Sequence, residues 1–267
     1  DVGDSASFYG ICSGSTTTNS VASIYNNYLS DLSAPQANVY LSSGLYLFGT
    51  TAGTTHRFYN KTVYLDQVST AGTGTAAIFA RPEVNLDMRN NILVNNSTGG
   101  FNAALWRSSL TTSTNMPTSN YNCLYAGPSG PNNLLYWVYD ASTPHQAQNM
   151  AAYLSYFPQE AQSFSELPPF TNITTKPYNL RMQTGTATAC ESGGSVIATP
   201  PITGDYDDQP RFPNPGYPDN ANPMYAATSP DVGADEFGGI PSFSCSAPSP
   251  GQTFASVNNI CLGTSVT

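Results

Sequence analysis

The sequence predicts an all-β protein whose strands stack as the courses of a solenoid, and three observations support this fold class. Only 9% of the 267 residues are charged, whereas Tyr, Phe, Gly, Pro, Ser, Thr and Asn are abundant. That composition is typical of a folded chain with many short strands and turns. In addition, an asparagine motif recurs about every 30 residues, and a second strand-like motif separates its copies in a constant order.

The asparagine motif is an aromatic or apolar residue, any residue, Asn and then an apolar run. It occurs as SIYNNYL, RFYNKTVYL, DMRNNILV and SNYNCLY, which aligns Asn26, Asn60, Asn90 and Asn122. In stacked courses these side chains would form a column in which each amide donates to one neighbour and accepts from the other. Asn also recurs in the turns of any β protein, but the constant order of the two motifs favours the solenoid.

The second motif occurs as SGLYLFG, TAAIFAR and NAALWRS, which aligns Tyr46, Phe79 and Trp106. Both motifs are short strand candidates bounded by Gly, Ser, Thr and Asn. We expect each strand to pair in parallel with its equivalent one turn above.

A short amphipathic helix is predicted over 148–157, where the repeats are interrupted. Its apolar face contains Met150, Tyr153, Leu154 and Phe157, and Pro158 follows it.

The predicted domain organisation has three parts. A β-helix domain is expected over 1–237, with a weakly patterned N-terminal edge over 1–19. A Gly/Pro/Ser linker follows over 238–250. Residues 251–267 are too few to bury a core, so we expect them to be the first strands of a truncated further domain.

Charge excludes two classes of partner. The net charge is −9, and the 8 Lys and Arg residues are scattered along the chain. Nucleic acids and anionic lipid headgroups both require clustered cations. The sequence contains no apolar run long enough to span a bilayer, so we expect neither nucleic-acid binding nor membrane insertion.

Five cysteines occur, at positions 12, 123, 190, 245 and 261, and none forms a C-x-x-C pair, which argues against a zinc site. The composition suits an extracellular protein, in which disulfides persist. An odd count leaves at least one thiol without an internal partner. The pairing stays open, although Cys245 and Cys261 are expected to belong to a different unit.

Four segments carry a resemblance to a known family. They are SNYNCLYAGPSGPNNLLYW (119–137), AAYLSYFPQEAQSFSELPPF (151–170), ESGGSVIATPPITGDYDDQPR (191–211) and SPDVGADEFGG (229–239). Together they resemble the right-handed parallel β-helix, pectin-lyase-like regions of large secreted surface proteins of Bacteroidota. The resemblance covers about residues 20–239, and the segment from Cys245 onward is similar to the opening of the Ig-like repeats that often follow.

This resemblance implies a location and partners. Such proteins are exported by the type IX system to the surface of Gram-negative bacteria, and some are adhesins. Glycans, other surface proteins and further domains of the same parent chain are the implied partners. The sequence departs from the family pattern at Asp208, where a Gly is usual, and in a longer insert before PDVGADE.

An acidic cluster offers a candidate Ca²⁺ site. Asp205, Asp207 and Asp208 present carboxylates at a spacing that a hard cation can use, although the Gly and Glu of an EF-hand loop are missing. The preferred interpretation is a structural turn network in which Arg211 pairs with Asp235 or Glu236. No other cofactor is expected.

The resemblance also implies a set of residues for an enzymatic alternative. Lyases of this fold use a basic residue beside Ca²⁺-binding carboxylates, and hydrolases use closely placed Asp residues. The candidates are Lys61, Asp66, Glu83, Asp87 and Arg89. Glu83 and Asp87 lie in one course with no third carboxylate aligned above them, so we expect these charges to be solvated on an outer face.

Histidines and aromatic residues complete the list of candidates. His56 and His145 are expected in exposed turns, without metal-binding partners. The Tyr and Trp residues at 25, 28, 40, 46, 59, 64, 106, 136 and 137 could form a sugar-stacking platform, but strand alternation directs about half of them into the core.

The sequence thus predicts a non-catalytic structural and adhesive β-helix segment that presents a lateral face to glycans or partner proteins. The alternatives are a polysaccharide-active enzyme of the same fold and a subunit of a surface filament.

Overall fold

The computed structural model describes residues 7–34, 42–49, 53–69, 74–81, 84–108, 114–138 and 145–242. In these residues the chain forms a parallel β-solenoid of about four turns. In chain order the elements are β1 (Tyr9–Ser15), β2 (Val21–Leu29), β3 (Ser42–Gly49), β4 (Thr54–Leu65), β5 (Thr75–Ala80), β6 (Val84–Arg89), β7 (Ile92–Asn95), β8 (Asn102–Arg107), β9 (Cys123–Tyr125), β10 (Asn133–Val138), β11 (His145–Ala147), α1 (Met150–Tyr156), β12 (Phe170–Asn172), β13 (Asn179–Met182), β14 (Ala187–Thr188) and β15 (Ile240–Pro241). The all-β class and the short helix are confirmed.

The first sheet has six strands in the order β1-β3-β5-β8-β10-β11. The first five are parallel, and β11 is antiparallel to β10. The predicted alignment is confirmed, because Tyr46 pairs with Phe79 and Phe79 pairs with Trp106. The next course continues the series, with Trp137 beside Trp106.

The second sheet contains β2, β4, β7 and β9, and β6 also pairs with β4. All of these pairings are parallel. Because β6 and β7 pair with the two halves of β4, a bend divides each course at this side of the coil.

The core lies between the two sheets. Alternate residues of the first sheet point inward, as Leu45, Ile78 and Leu105 do, and meet side chains such as Phe58 and Leu86 from the second sheet. From α1, Tyr153 extends the same core, which Phe157 joins just after the helix. The side-chain amide of Asn149 accepts a hydrogen bond from the Ala152 N–H (3.0 Å) and caps the helix.

The predicted asparagine column requires a correction. Asn26, Asn60 and Asn90 align, but all three have positive φ, at 54°, 48° and 54°, and they form the bend of each course. Asn is one of the few residues that tolerates this left-handed conformation, which explains why it recurs. In the fourth course Tyr121 takes this position, with φ 61°, so Asn122 belongs to a neighbouring column.

That neighbouring column forms the hydrogen-bonded ladder, one residue further along each course. It consists of Asn27, Lys61, Asn91 and Asn122, and it ends at Glu160. The Asn91 amide donates to Asn122 Oδ1 (2.9 Å), and the Asn122 amide donates to Glu160 Oε2 (3.0 Å). The amide-ladder mechanism therefore operates, but on the residue after the bend.

The C-terminal segment, residues 170–242, covers the outer face of the second sheet. Ile92, Val94 and Cys123 project from that face into a buried apolar cluster. Tyr64 of β4 also belongs to this cluster. The C-terminal segment contributes the remaining buried members, which are Phe170, Leu180, Met182, Cys190, Val232 and Phe237.

The bend asparagines anchor this segment. Asn26 donates to the carbonyl of Gly204 (2.7 Å). Asn90 donates to the carbonyl of Ser195 (2.7 Å) and accepts from its N–H (3.0 Å).

The packed structure extends past residue 237, because β15 pairs with β14 and the Ser242 N–H donates to the Thr188 carbonyl (2.9 Å). Residues 243–267, with Cys245, Cys261, most of the expected linker and the expected further domain, lie outside the described residues. Within the described residues, no helix has the length and apolar character needed to cross a membrane.

Candidate functional site

A row of aromatic rings runs along the outer face of the first sheet. This aromatic ladder consists of Tyr9, Tyr46, Phe79, Trp106 and Trp137. Successive ring centroids lie 4.5 Å (Tyr9–Tyr46), 5.4 Å (Tyr46–Phe79), 5.6 Å (Phe79–Trp106) and 3.8 Å (Trp106–Trp137) apart. Strand alternation produces this face, since the neighbours of these residues point into the core.

The ladder has open rings at its margins. Tyr9 and Phe101 are each 38% exposed, whereas Tyr46, Phe79 and Trp106 are half-buried and Trp137 is nearly buried. Phe101 stacks on Trp137 at 4.5 Å. The faces of the central rings are occupied by their neighbours, so Tyr9 and the adjoining Phe101 are the rings whose exposure best suits contact with a ligand.

The other predicted platform residues are dispersed. Tyr59, Tyr64 and Tyr136 are buried, as alternation predicted for part of the set. Tyr28 packs edge-on against Tyr206 of the C-terminal segment (4.9 Å). Tyr25 is 43% exposed but lies in β2, on the second sheet, and Tyr40 lies outside the described residues.

The residues of the enzymatic alternative do not converge. Asp87 is buried, accepts a hydrogen bond from the Tyr59 hydroxyl (2.6 Å) and pairs with both Arg89 Nε (3.0 Å) and Arg89 Nη2 (2.7 Å). In register it lies beside Arg57, near the start of β4, whereas Asp66 follows the end of β4. Glu83 lies outside the described residues.

Asp66 faces a different neighbourhood. It accepts a hydrogen bond from the Tyr178 hydroxyl and lies 3.6 Å from Lys176 Nζ, so it binds the C-terminal segment. The expectation that these charges are solvated on an outer face is wrong for Asp87, which forms a closed ion pair instead.

Lys61 is the second exception to that expectation. Its side chain is fully buried, donates to Asn27 Oδ1 and lies 5.6 Å from the centre of the Phe58 ring. Burial lowers the pKa of Lys61 to about 7. A lysine with that pKa suits proton abstraction, but a catalytic base must reach its substrate, and Lys61 has no exposed surface.

The acidic cluster assembles differently from the predicted set. The carboxylates of Asp205, Asp207 and Asp235 lie within 4.8 Å of one another, and Asp208 is not among them. Asp208 has φ 63° and lines a shallow groove beside Tyr25 and Asn26. This left-handed conformation is one that Gly adopts freely and that Asp tolerates better than most residues.

Arg181 takes the position of a cation in this cluster. It donates to Asp207 Oδ1 (2.8 Å) and to Asp235 Oδ1 (3.1 Å), and it lowers the pKa of Asp207. Both Asp205 oxygens accept backbone N–H groups, from Asp207, Gln209 and Glu236. Ca²⁺ requires six to eight oxygen ligands, so these residues fit an arginine-clamped turn better than a Ca²⁺ site.

The predicted turn network is present, and it resolves the two alternatives for Arg211. Arg211 Nη1 pairs with Glu236 Oε2 (3.1 Å), whereas Asp235 pairs with Arg181. Arg211 Nη2 also donates to the Gly233 carbonyl (2.9 Å). Both Arg211 and Glu236 are buried, so this is a hydrogen-bonded internal ion pair that fixes the end of the C-terminal segment.

The two histidines differ from each other. His56 is buried in β4, 3.2 Å from Ser13 Oγ through Nδ1, and burial lowers its pKa. The expectation of an exposed turn is therefore wrong for His56. His145 is half-buried in β11, where it lies against Tyr156 (5.8 Å).

No protein-family model, no curated protein and no solved structure matches the chain.

Sequence reasoning missed several members of these groups. One of them is Arg181, which meets Asp207 and Asp235 across irregular segments that no local pattern links. The Asn27 and Asn91 ladder positions had a usable signal, because each directly follows a bend asparagine as the second residue of an Asn-Asn pair. Phe101 precedes β8 and lies outside the aligned motif.

Proposed function

We propose that the chain is a non-catalytic structural and adhesive segment whose solenoid presents the aromatic ladder to glycans. The observation that supports this most directly is the aromatic ladder itself, a run of five rings on one outer face. Aromatic side chains are enriched at binding surfaces because they offer large, rigid, amphipathic contact areas.

The arrangement of the two sheets supports a lateral binding face. The outer face of the second sheet is filled by the protein's own C-terminal segment, whereas the rings of Tyr46, Phe79 and Trp106 keep part of their surface exposed. Stacked strands also make a solenoid stiff along its axis, which suits a spacer. Because the net charge is −9, we propose neutral rather than acidic glycans as ligands.

The resemblance of the four segments described above extends the proposal to location. We propose export by a type IX system to the surface of a Gram-negative bacterium, as part of a longer multidomain protein. Other surface proteins and further domains of the same parent chain would then be partners.

A glycan panel tests the proposal when binding and product release are measured together. We expect binding of neutral glycans without release of oligosaccharides. Release of oligosaccharides would contradict the non-catalytic role and favour a polysaccharide-active enzyme. Absence of all binding would contradict the adhesive role and leave a spacer.

Substitutions at the ladder margins locate the site. Tyr9→Ala and Phe101→Ala remove the two most open rings, and we expect each to weaken glycan binding about tenfold, which corresponds to about 1.4 kcal/mol. Tyr25→Ala is the matched control, because Tyr25 is a similarly exposed tyrosine on the second sheet. A loss of binding in Tyr25→Ala alone would place the site in the groove beside Asp208 and contradict the ladder assignment.

A further inference from the structure

Two buried thiols, Cys123 and Cys190, meet at the junction between the solenoid and its C-terminal segment. Cys123 lies in β9, in the fourth course of the second sheet, and Cys190 follows β14. Both have no exposed surface and belong to the same apolar cluster. Both are thiols in the structure.

The two sulfur atoms converge on one residue. Cys123 Sγ lies 3.4 Å from the backbone carbonyl oxygen of Glu166, and Cys190 Sγ lies 3.5 Å from Glu166 Oε1. Burial raises the pKa of Cys190, and its neighbour Cys123 adds to this effect. A disulfide between them further requires Cα atoms less than about 7 Å apart and Cβ atoms that point toward each other.

We propose that Cys123 and Cys190 are a modification site, oxidised to an internal disulfide that joins the fourth course to the C-terminal segment. The oxidant is a small-molecule disulfide such as oxidised glutathione. One thiolate attacks it and forms a mixed disulfide, and the second thiolate then displaces the remaining glutathione. Two protein thiols thus become one S–S bond, while the glutathione disulfide is reduced to two thiols.

The surroundings tolerate the loss of both thiol protons. The Glu166 carboxylate keeps hydrogen bonds from the Thr188 hydroxyl and from the Ala189 N–H (3.1 Å) after the Cys190 thiol is consumed. The Glu166 backbone carbonyl, by contrast, loses its hydrogen bond from Cys123 Sγ. The Cys190 backbone carbonyl also accepts a hydrogen bond from the Val232 N–H (2.9 Å). A disulfide at Cys190 would therefore also hold the chain around residue 232 in place.

Cys12 is not an alternative partner for Cys123. It lies in β1, in the first course of the first sheet, whereas Cys123 lies three courses further along the second sheet. Strands are about 4.8 Å apart in a sheet, so three courses separate the two cysteines by about 14 Å along the axis alone. A disulfide requires Cα atoms less than about 7 Å apart.

The experiment compares the full chain refolded from denaturant with and without oxidised glutathione. Peptide mapping without reductant should find Cys123 linked to Cys190, and Tm should rise by roughly 10 °C because the bond closes a loop of about 70 residues. Reduction in denaturant followed by refolding should remove the shift. Native protein should oxidise much more slowly, because both thiols are buried and burial raises the pKa of Cys190.

Three outcomes would overturn the proposal. They are the absence of a linked peptide, the linkage of Cys123 or Cys190 to another cysteine, and a linked protein whose Tm is unchanged or lower. Cys12→Ser is the matched control and should keep the full shift, whereas Cys123→Ser should lose it. If Cys123→Ser does not fold, the comparison of oxidised and reduced wild-type protein still decides the question.

Discussion

Replacing Lys61 with methionine should change how the stability of the protein depends on pH. Lys61 is fully buried and its pKa is lowered to about 7, because burial disfavours the ammonium form. The unfolded chain therefore binds this proton more tightly than the folded one. Burial of Lys61 lowers the free energy of unfolding least above pH 10.5. This destabilisation grows as the pH falls and reaches its full size below about pH 7.

The magnitude follows from the two pKa values. Each pKa unit is worth 1.36 kcal/mol, so a folded pKa of about 7 against an unfolded value of 10.5 corresponds to about 5 kcal/mol in total. Between pH 6 and pH 9 the expected change is about 2.6 kcal/mol. Methionine keeps most of the side-chain volume without the charge, and the hydrogen bond lost at Asn27 adds an offset that does not depend on pH.

Urea unfolding of the wild type and of Lys61→Met at pH 6 and pH 9 measures this change. At pH 6 the variant should have the higher free energy of unfolding. Between pH 6 and pH 9 the free energy of unfolding of the wild type should rise by about 2.6 kcal/mol relative to that of the variant. Lys176→Met is the matched control, because the Lys176 side chain is 46% exposed beside Asp66. Profiles for wild type and Lys61→Met that stay parallel within about 0.5 kcal/mol would refute the argument.

Two further predictions concern the amide ladder and the acidic cluster. Asn91→Ala removes three buried hydrogen bonds, to Lys61 N, Phe58 O and Asn122 Oδ1, and should lower the free energy of unfolding by about 2–4 kcal/mol. Urea unfolding measures this, with the exposed Asn132→Ala expected to stay within about 0.5 kcal/mol of wild type. Ca²⁺ at millimolar concentration should leave Tm within about 1 °C of its value in EDTA, because Arg181 already pairs with Asp207 and Asp235. A rise in Tm that EDTA reverses would establish a Ca²⁺ site there.

The periodic part of the fold could be predicted from sequence because each strand meets its equivalent about 30 residues later. The alignment of Tyr46, Phe79 and Trp106 gave the register of the first sheet correctly. The alignment of Asn122 was one residue out, because Tyr121 occupies the left-handed bend position that Asn fills in the other courses.

The candidate sites could be predicted less well, for a physical reason. Lys61 follows the bend at Asn60, where the strict alternation of inward and outward residues breaks. The charge of Lys61 therefore predicted an exposed side chain, whereas the bend directs it inward. Arg181 meets Asp207 and Asp235 across segments without periodic structure. Only the folded path of the chain brings such groups together.

The C-terminal segment described above determines whether the courses of the solenoid unfold independently or together. In a simple stack of courses each turn contacts only its neighbours, so the ends can fray independently. Here Gly204 is bound by Asn26 of the first course, Ala234 by Thr62 of the second and Ser195 by Asn90 of the third. One stretch of chain thus couples non-adjacent turns, which converts a one-dimensional array into a single cooperative unit.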